Sequence, residues 1–342
     1  MTWLVTGGAG YIGSLTIVEL LERGDDVVAL DNLMNSSAES LRRATQITRR
    51  EVPFVEADVR DGNALDAIFG DYDIQGVIHF AGLKAVGESV EKPLEYYRDN
   101  IDSAICLIDA MTRHRVKKLV FSSTATVYGT DADVPYKETH PVGVGITNPY
   151  AWSKFMIEQI MRDVVAADPE WQATILRYFN PIGAHESGLM GEDPQGYPNN
   201  LLPFLAQVAV GRRAKLLVYG DDYDTPDGTG VRDYLHVKDL ALGHIAALDH
   251  FGEPGQTKVY NLGSGHGTSV LEVIKAFEAA SGEPIPYEVV GRRAGDIGAF
   301  WADASLAERE LGWTAKKSVY DACLDIWKWQ SQNPHGYASE PV

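Results

Sequence analysis

The chain has 342 residues, 45% hydrophobic and 23% charged, an ordinary globular composition with enough core for one large α/β domain or two coupled ones. Its 30 Lys and Arg stand against 48 Asp and Glu, a formal charge of −18, which argues against nucleic acid or an anionic membrane as the main partner; an anionic small ligand would need a local group of arginines. No apolar run reaches the ~18 residues of a membrane span, the N-terminus enters a strand with no signal peptide, and the cysteines, Cys106 and Cys323, lack metal or disulfide spacing. A soluble, cytoplasmic protein with buried free thiols and no metal site is expected.

Trp3-Leu4-Val5 reads as a short strand running into Gly7-Gly8-Ala9-Gly10-Tyr11-Ile12-Gly13. A helix follows to about Gly24, and Val27-Val28-Ala29-Leu30 forms a second strand closed by Asp31. In such a βαβ unit Gly7, Gly10 and Gly13 let the backbone turn tightly against a pyrophosphate at the helix N-terminus. Asp31 suits the two ribose hydroxyls of an adenosine half and would repel a 2′-phosphate, so NAD is favoured over NADP. Further strands are expected at Phe54–Ala57, Val77–Phe80, Lys118–Ser122 and Ala173–Arg177, with helices near 37–48, 62–69, 93–113 and 149–166. This alternation predicts an α/β, Rossmann-type doubly wound parallel sheet whose ligand lies at the carboxyl ends of the strands. Those ends are Asp58-Val59, Phe80-Ala81-Gly82 with Lys84, and Ser122-Ser123-Thr124.

Asn148-Pro149 has the form of a helix start, a capping amide before a proline at the first helical position. Tyr150 and Lys154 then share one helix face. A phenol ordinarily holds its proton to a pKa of ~10, and a base near neutrality needs ~4 kcal/mol of help. Lys154 and an oxidised nicotinamide are two charges able to supply it, and Thr124 offers a hydroxyl for a substrate oxygen. The set suits alcohol oxidation: Tyr150 takes the hydroxyl proton as the ring takes the hydride.

Gly7-x-x-Gly10-x-x-Gly13, Ser122-Ser123-Thr124 and Tyr150-x-x-x-Lys154 resemble the extended short-chain dehydrogenase/reductase family. Longer strings resemble its UDP-glucose 4-epimerase branch: His79–Ser89, Leu176–Pro181, Gly191–Gly196 with Pro198–Leu201, and Asp227–Tyr234. The resemblance runs from about residue 2 to about residue 336. It implies reversible epimerisation at C4 of UDP-glucose and UDP-galactose through a 4-keto sugar, with NAD kept through the cycle and a homodimer formed by the helices near 93–113 and 149–166. It further implies cofactor contacts from Tyr11, Ile12, Asn32, Asn35, Ser36, Asn100, Tyr150, Lys154 and Tyr178 beside the positions already named. The UDP-sugar would be met by Lys84, Thr124, Tyr150, Asn180, Asn200, Leu201, Tyr219, Arg232, Arg293, Asp296 and Phe300, the two arginines taking the diphosphate.

Residues 1–180, with a return of 233–263, are expected to hold NAD, and residues 181–342 to form a smaller α/β domain for the UDP-sugar. Residues 183–200 read as a loop suited to a lid, followed by an apolar helix capped by an Asn. Val237–His250 reads as a helix and Val259–Leu262 as a strand. Gly263–Gly267 reads as a strand-to-helix turn rather than a second phosphate loop, with Thr268 or Ser269 capping the next helix. The end from Pro334 reads as a mobile tail. Ala125 and Thr126 follow Thr124 where a 4,6-dehydratase would need an acid and a base; a 4-reductase and a non-catalytic NAD-binding redox sensor are the other rivals. Thr124 replaces the Ser of many epimerases, and the bulk of Phe300 favours sugars without an N-acetyl group.

Overall fold

The computed structural model describes residues 1–130, 133–194, 196, 198, 200–293 and 296–338. In chain order the first half comprises β1 (Thr2–Thr6), α1 (Tyr11–Arg23), β2 (Asp26–Asp31), α2 (Ala38–Thr48), β3 (Phe54–Glu56), α3 (Gly62–Asp71), β4 (Ile74–His79), α4 (Val86–Glu91), α5 (Pro93–Arg113), β5 (Lys118–Thr124), α6 (Pro149–Ala167) and β6 (Gln172–Tyr178). The second half adds β7 (Asn180–Ile182), α7 (Leu201–Ala209), β8 (Leu216–Tyr219), β9 (Val231–Arg232), β10 (Tyr234–His236), α8 (Val237–Asp249), β11 (Gln256–Leu262), β12 (Thr268–Ser269), α9 (Val270–Ser281), β13 (Tyr287–Val290), β14 (Ala299–Phe300), α10 (Ser305–Leu311) and α11 (Val319–Gln332).

Seven parallel strands form the main sheet in the order β11-β6-β5-β4-β1-β2-β3. Strand order reverses between β4 and β1, so a crevice opens beyond their carboxyl ends. The buried strands are nearly continuous apolar runs, as a sheet covered on both faces requires. One apolar core, with Ile17, Leu20, Leu240 and Leu248, packs α1 and α8 on one face. A second, with Leu107, Met111, Ile157 and Met161, packs α5 and α6 on the other. A third core, around Leu205, Val218, Phe277 and Cys323, joins α7, α9 and α11 to β8 and β10.

Local signals behave as their chemistry dictates. Asn148 accepts a hydrogen bond from Ala151 N at 2.9 Å and opens α6, and Gly24 closes α1 with φ +99°. Ser269 caps α9 in a reciprocal box with Glu272. The turn after β11 is not an anion loop: Ser264 N and Gly265 N already donate to the buried Asp233 carboxylate, at 2.7 and 3.2 Å.

Three expectations are corrected. Asn200 stands at the N-cap of α7, yet its side chain makes no cap bond and donates instead to Glu192 at 3.1 Å. Residues 334–338 are not a loose tail, because Tyr337 N donates to Asp193 Oδ2 at 2.8 Å and the Tyr337 ring packs 4.8 Å from Trp329. Residues 339–342 lie outside the described residues, as do residues 195, 197 and 199 of the expected lid. Cys323 is buried but Cys106 only half-buried, and both are free thiols. The short strands β8, β9 and β12–β14 and the helices α4, α10 and α11 carry no signal read from the sequence.

Candidate active site

A cavity of about 660 Å³ lies beyond the carboxyl ends of the main sheet and extends under α7 and β8. That volume is in the range of small-molecule sites.

Its inner end is built by the β1–α1 turn. Gly7 has φ +69°, and a Cβ there would stand 2.8 Å from Ala81 N; a Cβ on Gly13 would stand 2.2 Å from Gly7 O. Only glycine permits this fold of the backbone. Gly10 is the N-cap of α1 and supplies no side-chain cap, and the first turn has no acidic residue. The first N–H groups of α1 and its dipole are thus left for an anion. At the end of β2, Asp31 accepts from Ala9 N at 3.0 Å, Leu33 N at 2.9 Å and Ser36 Oγ at 2.8 Å, which holds the carboxylate at the cavity wall. Asn32 donates to Asp58 at 3.1 Å, and the Arg60 guanidinium holds the Asp58 carboxyl far below the usual carboxylate range. This glycine cradle, uncapped helix and acid fit a dinucleotide.

At the middle of the cavity, Tyr150 and Lys154 project from α6, and Ser122 and Thr124 from β5. Lys154 Nζ donates to Ser122 O at 2.9 Å and lies 4.8 Å from the Phe121 ring centre. Burial lowers its pKa to about 8. Burial also raises Tyr150 to about 12, opposed only by a hydrogen bond with Thr124. The activated phenol expected from the sequence is therefore not made by Lys154: desolvation dominates, and the ammonium is turned to the strand. Thr124 Oγ1 also accepts from Thr126 N at 3.2 Å, so the hydroxyl both caps a 3-10 turn and faces the cavity. Ser122 Oγ and the Tyr178 hydroxyl share a hydrogen bond, and both residues line the cavity.

The outer end carries the arginines. Arg293 lies 3.1 Å from Asp296 and 5.5 Å from the Tyr219 ring centre, and Arg232 lies 3.9 Å from the same carboxylate. Asn180 donates to Asp233 O at 3.0 Å.

Nearly every residue expected at the site lines this one cavity: Tyr11, Ile12, Asn35, Val59, Phe80, Ala81, Gly82, Lys84, Asn200 and Leu201 join those just described. Two lie behind the wall. Asn100 is buried and holds Leu83 N at 2.7 Å and Ser153 Oγ at 2.9 Å. Phe300 packs 4.8 Å from both Tyr136 and Phe179, and Phe179 is the ring that meets the cavity.

Glu192 was not singled out by its sequence. Its carboxylate lies in the cavity wall, accepting from Lys84 at 3.2 Å and Asn200 at 3.1 Å, so it bridges the NAD-side wall and α7. Arg60 was missed as well; an Asp-x-Arg pair just after a strand is the only local hint of it. Among the described residues no cluster of three or more potential metal ligands occurs. No helix there is long and apolar enough to cross a membrane.

Residues 3–263 match the family described as NAD dependent epimerase/dehydratase. Over 336 residues the chain is 57% identical to "UDP-glucose 4-epimerase" of Erwinia amylovora, covering 98% of this chain and 99% of that one. It is likewise 57% identical over 343 residues to "UDP-glucose 4-epimerase" of Homo sapiens, covering 98% of each. A solved structure of UDP-glucose 4-epimerase from Bifidobacterium longum, in complex with NAD+ and UDP, superposes with a TM-score of 0.95 at 56% identity, covering 98% of this chain and 100% of that one. The chain belongs to the NAD dependent epimerase/dehydratase family and groups with its UDP-glucose 4-epimerases.

Proposed function

We propose that this protein interconverts UDP-glucose and UDP-galactose by reversible epimerisation at C4, with NAD held through the cycle. The observation that carries the reading is one cavity holding three kinds of group: a dinucleotide cradle inside, Tyr150 with Thr124 in the middle, and Arg232 with Arg293 outside. Residues 1–180 and 233–263 then serve the cofactor, and residues 181–342 otherwise serve the sugar nucleotide.

Bound NAD supplies a hydride acceptor and donor for C4, and its oxidised ring a positive charge. Tyr150 takes the 4-hydroxyl proton as C4 loses its hydride, leaving a 4-keto sugar. Thr124 holds the same oxygen through its hydroxyl. Arg232, Arg293 and Asn180 hold the UDP portion while the hexose turns its other face, so remote binding energy keeps the reactive ketone in place. Tyr150 then returns its proton to the oxygen as hydride returns to C4. Lys154 fixes the end of β5 through the Ser122 carbonyl and would help hold the cofactor beside Tyr150. Asp31, Asn32, Asn35, Ser36, Asp58 and Val59 hold the adenosine half.

A homodimer through α5 and α6 accords with exposed apolar residues on both helices: Leu94, 73% exposed, and Ile105, 47%, on α5, and Met156, 39%, on α6. A cytoplasmic setting accords with two free thiols. Incubation of the purified protein with UDP-galactose, with no NAD added, tests the activity; formation of UDP-glucose is the expected result. Light scattering tests the dimer, and a mass of one chain at micromolar concentration would exclude it.

A further inference from the structure

The face of α6 that carries Tyr150 and Lys154 continues one turn further. Glu158 is four residues beyond Lys154 and eight beyond Tyr150, on the same side of the helix. It does not line the cavity. It is 1% exposed, a carboxylate sealed between the helix and the sheet.

Its two oxygens are fully used. Oε1 accepts from Ser123 Oγ at 2.6 Å and from Arg177 Nε at 2.9 Å, and Oε2 accepts from Arg177 Nη2 at 2.6 Å. Arg177, 2% exposed, lies on β6 directly across from Ser123 on β5. Its remaining Nη1 donates to the Tyr128 hydroxyl at 3.1 Å, and that hydroxyl donates to Asn261 Oδ1 on β11 at 2.7 Å. One carboxylate thus ties the helix to β5 and, through Arg177, to β6, the 3-10 turn and β11.

A buried ion pair is weak support for stability, since well-packed apolar residues can replace it with little loss. What apolar residues cannot do is fix a hydroxyl on β5 at hydrogen-bond distance from α6. Ser123 is the residue so fixed, and its neighbours are the two that matter at the cavity. Ser122 offers the carbonyl that receives Lys154 Nζ, and Thr124 meets Tyr150. Alternation along β5 turns the Ser123 side chain away from the face that carries Ser122 and Thr124. The clamp therefore holds the strand from behind.

We propose that Glu158 is a positioning residue for the reaction: through Ser123 and Arg177 it sets the separation between the Tyr150–Lys154 face of α6 and the Ser122–Thr124 end of β5. This rests on Tyr150 and Thr124 being the groups that meet the sugar. A small misplacement of reacting groups costs turnover far more than binding, so loss of the clamp lowers kcat and leaves KM in place.

The test uses the full chain with its bound NAD, comparing Ser123→Ala, Ser123→Thr and Glu158→Gln with wild type and with Tyr150→Phe. Ser123→Ala removes one hydroxyl and leaves the Glu158–Arg177 pair whole, so it is read even where Glu158→Gln fails to fold. We expect kcat for UDP-galactose to fall about ten- to a hundredfold in Ser123→Ala. KM is expected within twofold of wild type, with unchanged NAD content and Tm, and Ser123→Thr restores turnover. A Ser123→Ala enzyme with wild-type kcat overturns the proposal, as does one whose kcat and KM worsen together with Tm. Wild-type and Tyr150→Phe turnover report separately on the underlying reading, so failure of the clamp and failure of the site are distinct results.

Discussion

The ammonium of Lys154 donates to the carbonyl oxygen of Ser122 at 2.9 Å, and Tyr150, one turn earlier on the same helix, stays protonated to about pH 12. A positive charge at ~4 Å from the phenol, at an effective dielectric of ~20, lowers its pKa by ~3 units. The working base then titrates above neutrality. Because the deprotonated phenol is the active form, kcat rises with pH from 6 to 8, approaching tenfold per unit, while Lys154 keeps its proton to about 8. A kcat–pH profile of the NAD-loaded enzyme checks this; a flat profile over that span is inconsistent with Tyr150 as base.

Removing the phenol alone isolates its chemistry. Tyr150→Phe keeps the ring in its buried seat and is expected to retain NAD and UDP while turnover drops about 10²- to 10⁴-fold. Stopped-assay turnover beside UDP titration measures both. Near-normal turnover would remove Tyr150 from its role.

Phe300 does not touch the cavity directly. It packs against Phe179, which does, and against Tyr136, so it backs the wall rather than forming it. That backing limits how far Phe179 can yield to an N-acetyl group. Catalytic efficiency on UDP-N-acetylglucosamine is expected to be far below that on UDP-glucose, and Phe300→Ala is expected to narrow the gap while destabilising the fold by about 3–5 kcal/mol. Comparable efficiencies on both sugars in the wild type would contradict this.

Two buried histidines make stability depend on pH. Burial lowers His79 to about 3 and His244 to about 4. Unfolded, each takes a proton near pH 6.5. Between that value and the folded pKa the unfolded chain binds more protons, so these groups contribute stability above pH 6.5 that is lost as pH falls toward 4. The loss approaches ~1.4 kcal/mol per pH unit for each histidine. Urea midpoints from pH 7 to 4.5 should fall less steeply in His244→Phe, whose ring retains the packing on Phe80 and Tyr178. Equal slopes in wild type and variant would rule His244 out as a source.

Features set by short-range chemistry were legible. The glycine turn, the Asn148 cap and the Tyr150–Lys154 face each lie within a few residues of their partners, and composition or spacing declares them. Arg232, Arg293 and Asp296 were found through resemblance, since a lone surface arginine carries no local signal of a ligand. Glu192 and Glu158 were not found, because each draws its meaning from a partner far along the chain. Glu192 reaches Lys84, 108 residues away, and Glu158 reaches Ser123 and Arg177 from within an ordinary helix. The cost of burying Tyr150 was not legible for a related reason: helical spacing places Lys154 on the right face but says nothing of desolvation, or of the Ser122 carbonyl that takes the ammonium as its donor.

The reversible exchange of configuration at C4, with no net redox change, is tested most directly by giving the purified protein UDP-galactose with no added NAD and following both sugars. UDP-glucose should appear and reach a stable ratio with UDP-galactose, and the same ratio should be reached starting from UDP-glucose. No conversion until NAD is supplied, or accumulation of a keto sugar in step with reduced cofactor, would contradict the account.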